Sequence, residues 1–199
     1  MDFYPGHHAP EQRTSGWFCR SGVHRHLPAG NRRPIYGFRA GDADAAAARL
    51  KARGELASVL AVVAQALCLA VARNPSLNSR WDEAAGEIIE FGYVNLGIAV
   101  ATDRGLMVPN IADAETLALA ELTSAITGLA AAARAGTTSP KAFSGGTITI
   151  SNVGVFGVDA GTPILNPGEA AILATGAVRK RPWQHEGGIA LRDVMTLSL

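Results

Sequence analysis

The stretch from Thr147 to Asn166, TITISNVGVFGVDAGTPILN, constrains the fold more than any other part of the chain. Thr147, Thr149 and Ser151 alternate with Ile148 and Ile150. A period of two sends the hydroxyls to one face of a strand and the isoleucines to the other. Glycines follow at 154, 157 and 161, where the backbone takes turns that other residues resist. Thr162-Pro163 and Asn166-Pro167 come next. A strand with a buried face, a polar face and a kinked exit can hold one hydroxyl at the edge of a pocket. Ser151 is the last inward hydroxyl before the glycines.

The remaining pattern supplies partners for such a strand. Asp42 or Asp44 caps an expected first helix, Ala45–Arg53, ended by Gly54. A second helix is expected over Leu56–Arg73, where Leu56, Leu60, Val63, Leu67 and Val71 share one face, and Asn74-Pro75 stops it. Glu87–Phe91 reads as a short strand. Tyr93–Thr102 alternates apolar and small residues, and predicts a half-buried strand. Asp103-Arg104-Gly105 turns it into a return strand, Leu106–Ile111, with Pro109 marking an edge or bulge. A third helix starts at Asp113 or Thr116, carries Leu119, Leu122, Ile126, Leu129 and Ala133 on one stripe, and closes at Gly136. Further strands are expected at Ala170–Val178 and from Ile189, with a basic hairpin around Arg179-Lys180-Arg181 between them.

Residues 1–41 break this order. Four histidines, six arginines and four prolines fall there with no sustained period, which predicts an irregular, poorly ordered arm ahead of a single domain over 42–199. A chain of 199 residues suits one domain with a substantial core. The net charge of +1 gives no basic field for nucleic acid. Leu56–Ala72 is the nearest approach to a membrane span, and Ser58 and Gln65 interrupt it. No secretion signal opens the chain. The two cysteines, Cys19 and Cys68, do not make a disulfide framework, so a reducing cytoplasm is the expected setting.

Three separated motifs carry a resemblance. NPSLNSRWDE (Asn74–Glu83), NLGIAVATDRGLMVPNI (Asn95–Ile111) and SNVGVFG with TPILNPGEAAIL resemble, in this order, the catalytic domain of the acyltransferase core component of 2-oxo-acid dehydrogenase complexes. The resemblance runs roughly from Phe38 to Leu199. It implies an α/β fold, helices packed on one face of a mixed sheet, similar to chloramphenicol acetyltransferase. It implies transfer of an acyl group from S-acyl-dihydrolipoamide to coenzyme A, with coenzyme A and the lipoyl group as substrates and no metal. It gives Ser151 a hydrogen bond to the oxyanion of the tetrahedral intermediate rather than a nucleophilic role. Asn152, Gly154, Thr162, Pro163 and Asn166 would sit at the subunit contact and active-site channel. The implied partners are a homotrimer, a larger cage, and the decarboxylase and dihydrolipoyl dehydrogenase components.

Two departures qualify what the resemblance implies. The family's general base lies in H-x-x-x-D-G, beyond a strand that ends here as MTLSL, so no residue inherits that role. The domain is therefore expected to be incomplete at its C-terminus and impaired, or else a non-catalytic structural core component. Gly168 replaces a usual proline, which predicts a looser loop.

Other chemistry is open to weaker readings. The three glycines match neither a dinucleotide nor a Walker pattern, which leaves turn geometry ahead of a phosphate cradle. Cys19, His24 and His26 lack a second ligand pair at zinc spacing. His185 reads as a solvated turn residue. Arg179, Lys180 and Arg181 read as a solvated basic turn or as partners for coenzyme A phosphates. Trp81 and Trp183 read as packing residues.

Overall fold

A computed structural model describes residues 35–38, residue 52 and residues 58–199, with backbone alone at 35–38. The alternation around Ile98 makes strand β4 (Leu96–Thr102), and the alternation around Ile150 makes β7 (Ile148–Asn152). The two run parallel, with Leu96 opposite Ile148, Gly97 opposite Thr149, Ile98 opposite Ile150 and Ala99 opposite Ser151. On the other side of β7 lies β8 (Ile172–Thr175), also parallel, with Ala174 opposite Ser151.

These strands centre a mixed sheet. Its order is β1 (Ile35–Phe38), β10 (Gly188–Ser198), β8, β7, β4, β5 (Gly105–Met107). Strand β6 (Asn110–Ile111) also pairs with β4, and β9 (Arg179–His185) pairs antiparallel with β10. A separate two-stranded hairpin joins β2 (Ser79–Asp82) to β3 (Glu87–Glu90).

Helices α1 (Val59–Arg73) and α2 (Leu119–Ala135) contribute to the same apolar core as the isoleucine face of the sheet. Ser58 caps α1 by accepting from the Ala61 N–H at 3.1 Å. Glu121 accepts from the Ala118 N–H at 2.8 Å at the start of α2, and Gly136 closes that helix at φ 71°. Ala61, Ala64, Val71, Leu122 and Ile126 pack with Leu96, Ile98, Ile148 and Ile150. Removing this apolar area from water is the main stabilising term. Apart from Ile172, it leaves the opposite face of β4, β7 and β8 with small and hydroxyl side chains.

Several expectations shift. Ile35–Phe38 is a strand on β10, where irregular chain was expected; the rest of the 1–41 arm lies outside the described residues. So does the first helix, of which only residue 52, helical, is described. Strand β4 begins at Leu96; the Asn95 N–H donates to the Thr147 hydroxyl at 3.1 Å rather than to a strand carbonyl. The return strand divides into β5 and β6 around Pro109, whose carbonyl still accepts from the Ile98 N–H at 2.9 Å. Helix α2 starts at Leu119, after a short turn at Ala114–Thr116. Strand β2 was not expected, and β8 is shorter than Ala170–Val178. Among the described residues no helix is long and apolar enough to cross a membrane.

Candidate functional site

Ser151 stands near the end of β7, half-buried, with Ala99 and Ala174 directly across on the two neighbouring strands. Small side chains on both sides leave space over the hydroxyl. Its oxygen has no hydrogen-bond partner among the described residues, so it is free to donate to an added group.

Thr149, on the same face, is not open as Ser151 is. It is fully buried, donates to Glu169 Oε1 at 2.9 Å and accepts from Asn166 Nδ2 at 2.8 Å. Asn166 Nδ2 also lies 3.2 Å from Glu169 Oε1. A Cβ at Gly97 would overlap the Thr149 hydroxyl, so glycine there is required by the neighbouring strand. Burial pushes the Glu169 carboxyl above its ordinary range, and the bonds from Thr149 and Asn166 lower it by less.

Two cavities flank the strand, and Ser151 lines neither. One, of about 240 Å³, lies on the helix side and is lined by Asn152, Gly154, Thr175 and residues of α1. The other, of about 450 Å³, is lined by Gly97, Asn110, Gly146, Asn166 and Glu169. Its strand neighbour Asn152 and the exit-loop residues Gly154, Asn166 and Glu169 line them instead.

The exit loop itself is tightly built. Asn152 Oδ1 accepts from the Gly154 N–H at 3.1 Å. A Cβ on Gly154 would overlap the backbone of Gly176, and one on Gly176 would overlap the Asp159 carbonyl. Close backbone approach accounts for Gly154. Gly157 sits at φ 73°, as a turn glycine does. Thr162 is exposed and Pro163 half-buried. Gly168 adopts φ 86°, a conformation closed to proline. It is a specific turn at this position rather than a loosened one.

The basic segment is not a turn and is not free. Arg179 Nε lies 2.6 Å from Asp159 Oδ1, and Arg181 pairs with Asp159 Oδ2. Both are residues of β9. Lys180 pairs with Asp193 at 3.3 Å. His185 ends β9 rather than lying in the turn, and its Nε2 is 3.3 Å from Arg192 Nη1. A guanidinium donating there occupies that nitrogen's lone pair. Among the described residues no cluster of histidine, cysteine and acidic side chains could hold a metal.

The residues missed by the sequence reading are the motif asparagines. Asn95 Nδ2 donates to the Gly145 carbonyl at 2.7 Å, and Asn110 Nδ2 to Ala142 and Ser144 carbonyls at 2.9 Å each. They fasten the turn before β7. Asn78 is buried and donates to the Phe91 and Tyr93 carbonyls. Their signal was their presence in polar positions of otherwise apolar motifs.

Comparison with known proteins identifies relatives of the chain. The curated relatives include the dihydrolipoyllysine-residue acetyltransferase component of the pyruvate dehydrogenase complex from Staphylococcus epidermidis, 37% identical over 147 residues, and from Staphylococcus aureus, 38% identical over 147 residues. Each match covers 74% of this chain and 34% of the relative, so the chain spans about one third of their length. Among solved structures, the Azotobacter vinelandii dihydrolipoamide acetyltransferase is 27% identical with a TM-score of 0.75, over 91% of this chain and 76% of that one. The cubic core of a pyruvate dehydrogenase multienzyme complex is 26% identical with a TM-score of 0.76, over 98% of this chain and 82% of that one. The family model for the 2-oxoacid dehydrogenases acyltransferase (catalytic domain) matches residues 40–199, and the chain belongs to that family.

Proposed function

We propose that this chain is an acyl-transfer domain that moves an acyl group from S-acyl-dihydrolipoamide to coenzyme A, with Ser151 as the oxyanion donor. The observation that carries the reading is the free hydroxyl of Ser151 between Ala99 and Ala174. In the reaction the thiolate of coenzyme A attacks the thioester carbonyl, and the carbonyl oxygen becomes an oxyanion. The Ser151 O–H donates to that oxygen. Collapse expels the dihydrolipoamide thiolate, which takes up a proton. Asn152, Gly154, Thr162, Pro163 and Asn166 are proposed to lie along the channel and a contact between subunits. A homotrimer within a larger cage, served by decarboxylase and dihydrolipoyl dehydrogenase components in the cytoplasm, completes the reading.

The attacking thiol needs a base. Its pKa is about 8.5 when free, so roughly a few per cent is thiolate at neutral pH, and a positioned base contributes about 10²–10⁴-fold. His185, the one histidine among the described residues, is engaged by Arg192. This contact takes His185 out of the base role and supports a second reading, a structural core component.

The test is acetyl-coenzyme A formation from acetyl-dihydrolipoamide, with the chain and with Ser151→Ala. Slow transfer that falls a further ~10²–10³-fold in the variant is expected. Equal rates in the two would remove Ser151 from the mechanism. No transfer above the uncatalysed rate would favour the structural reading.

A further inference from the structure

We propose that Asn166 and Glu169 are positioning residues for Ser151, acting through Thr149 as a latch between the exit loop and β7. The proposal rests on the role assigned to Ser151 above.

Thr149 and Ser151 are two residues apart on one face of a strand held on both sides by parallel neighbours. The direction of the Ser151 Cα–Cβ bond is therefore set by the same stretch of backbone that carries Thr149. The Thr149 hydroxyl donates to Glu169 and accepts from Asn166, both on the returning limb of the exit loop. Two glycines leave space for the arrangement. Gly97 leaves room for the Thr149 oxygen, and a Cβ on Gly146 would sit 3.4 Å from Glu169 Oε1. The loop cannot shift along the strand without breaking these bonds.

Glu169 holds the latch through one of its two oxygens. Its Oε1 takes both hydrogen bonds, while Oε2 is buried without a partner. Elements β4, β5, β6 and the turn before β7 border the adjoining cavity, and none of their lining residues is ionisable. An ionised carboxylate there would have one oxygen with no donor and no cation, a costly state. The raised pKa agrees with this: burial is its main cause. Because the folded state holds the proton more tightly than the unfolded chain does, the stabilisation is full below the ordinary value of 4.5. It is lost as pH rises through the folded value, because the charge then has to be buried.

The experiment places a thiol at the site by Ser151→Cys in a Cys19→Ser background. Cys68 is buried, with its thiol pushed up to about 11, and stays silent. Alkylation by iodoacetamide is then followed from acid to neutral pH. Glu169→Ala and Thr149→Val should each change the labelling rate by about fivefold, the population shift of one lost hydrogen bond. Glu169→Gln, which keeps an oxygen to accept from Thr149, should hold the labelling rate near that of the parent. Identical labelling in all variants would overturn the latch. Labelling reads position without any turnover. Failure of the acyl-transfer assay together with coupled labelling would overturn the catalytic reading and leave the latch standing.

Discussion

At the scale of single residues, the site is defined by what glycine permits. Gly97→Ala places a methyl group on the Thr149 hydroxyl, and overpacking of this kind costs roughly 1–3 kcal/mol. Chemical denaturation should show that loss. Combining it with Thr149→Ala should recover part of it, since the second change removes the atom being struck. A strictly additive double mutant would show that the two residues do not compete for that space. Gly168→Pro should be worse than its conservative appearance suggests, because the native φ of 86° lies outside proline's range. Little of this was legible in the sequence. The alternation of Thr147–Ser151 gave the face on which the hydroxyls lie. It could not say that Thr149 would be sealed by Glu169 while Ser151 stayed free, because the loop that does the sealing returns from twenty residues away.

At the scale of elements, local patterns translated well into helices and central strands and poorly into edges. Helix α1 is set by its apolar stripe and by Ser58; Ser58→Ala should cost about 1 kcal/mol by thermal melting. Strand β2 escaped notice because four residues, Ser79–Asp82, carry little alternation and gain their pairing only from β3. Strand β1 escaped for a similar reason: its ladder comes from β10, at the other end of the chain. The exit loop connects two parallel strands, where a helix is the usual crossover. Its glycines and the Asp159 clamp replace the helix. Gly176→Ala should disorder this crossover, since no side-chain rotation relieves an overlap with a carbonyl. Asp159→Asn should cost only about 0.2–1 kcal/mol, because the ion pairs are half-exposed. Proteolysis rates within 153–171 would separate the two: a large increase for the first variant, a small one for the second.

At the scale of the whole molecule, the sheet is unevenly supported. Strands β4, β7 and β8 have neighbours on both sides and helices over one face. In β10, residues Gly188–Val194 pair with β9, while Leu197 and Ser198 pair with β8. The first part of β10 and all of β9 thus leave the sheet as a two-stranded ribbon. Ile189 is 84% exposed and Leu191 67% exposed on one of its faces. A two-stranded ribbon is marginal by itself in water. Its backbone amides should therefore trade hydrogen for deuterium through frequent local openings, while those of Ile148–Ser151 should wait for global unfolding. Mass-resolved exchange would read the contrast directly, and equal protection in the two segments would mean that something rests on the ribbon in solution. A chain built this way has one rigid centre and one arm with an independent lifetime. Whatever covers Ile189 and Leu191 would then be visible as a slowing of that arm's exchange long before it altered the melting of the core.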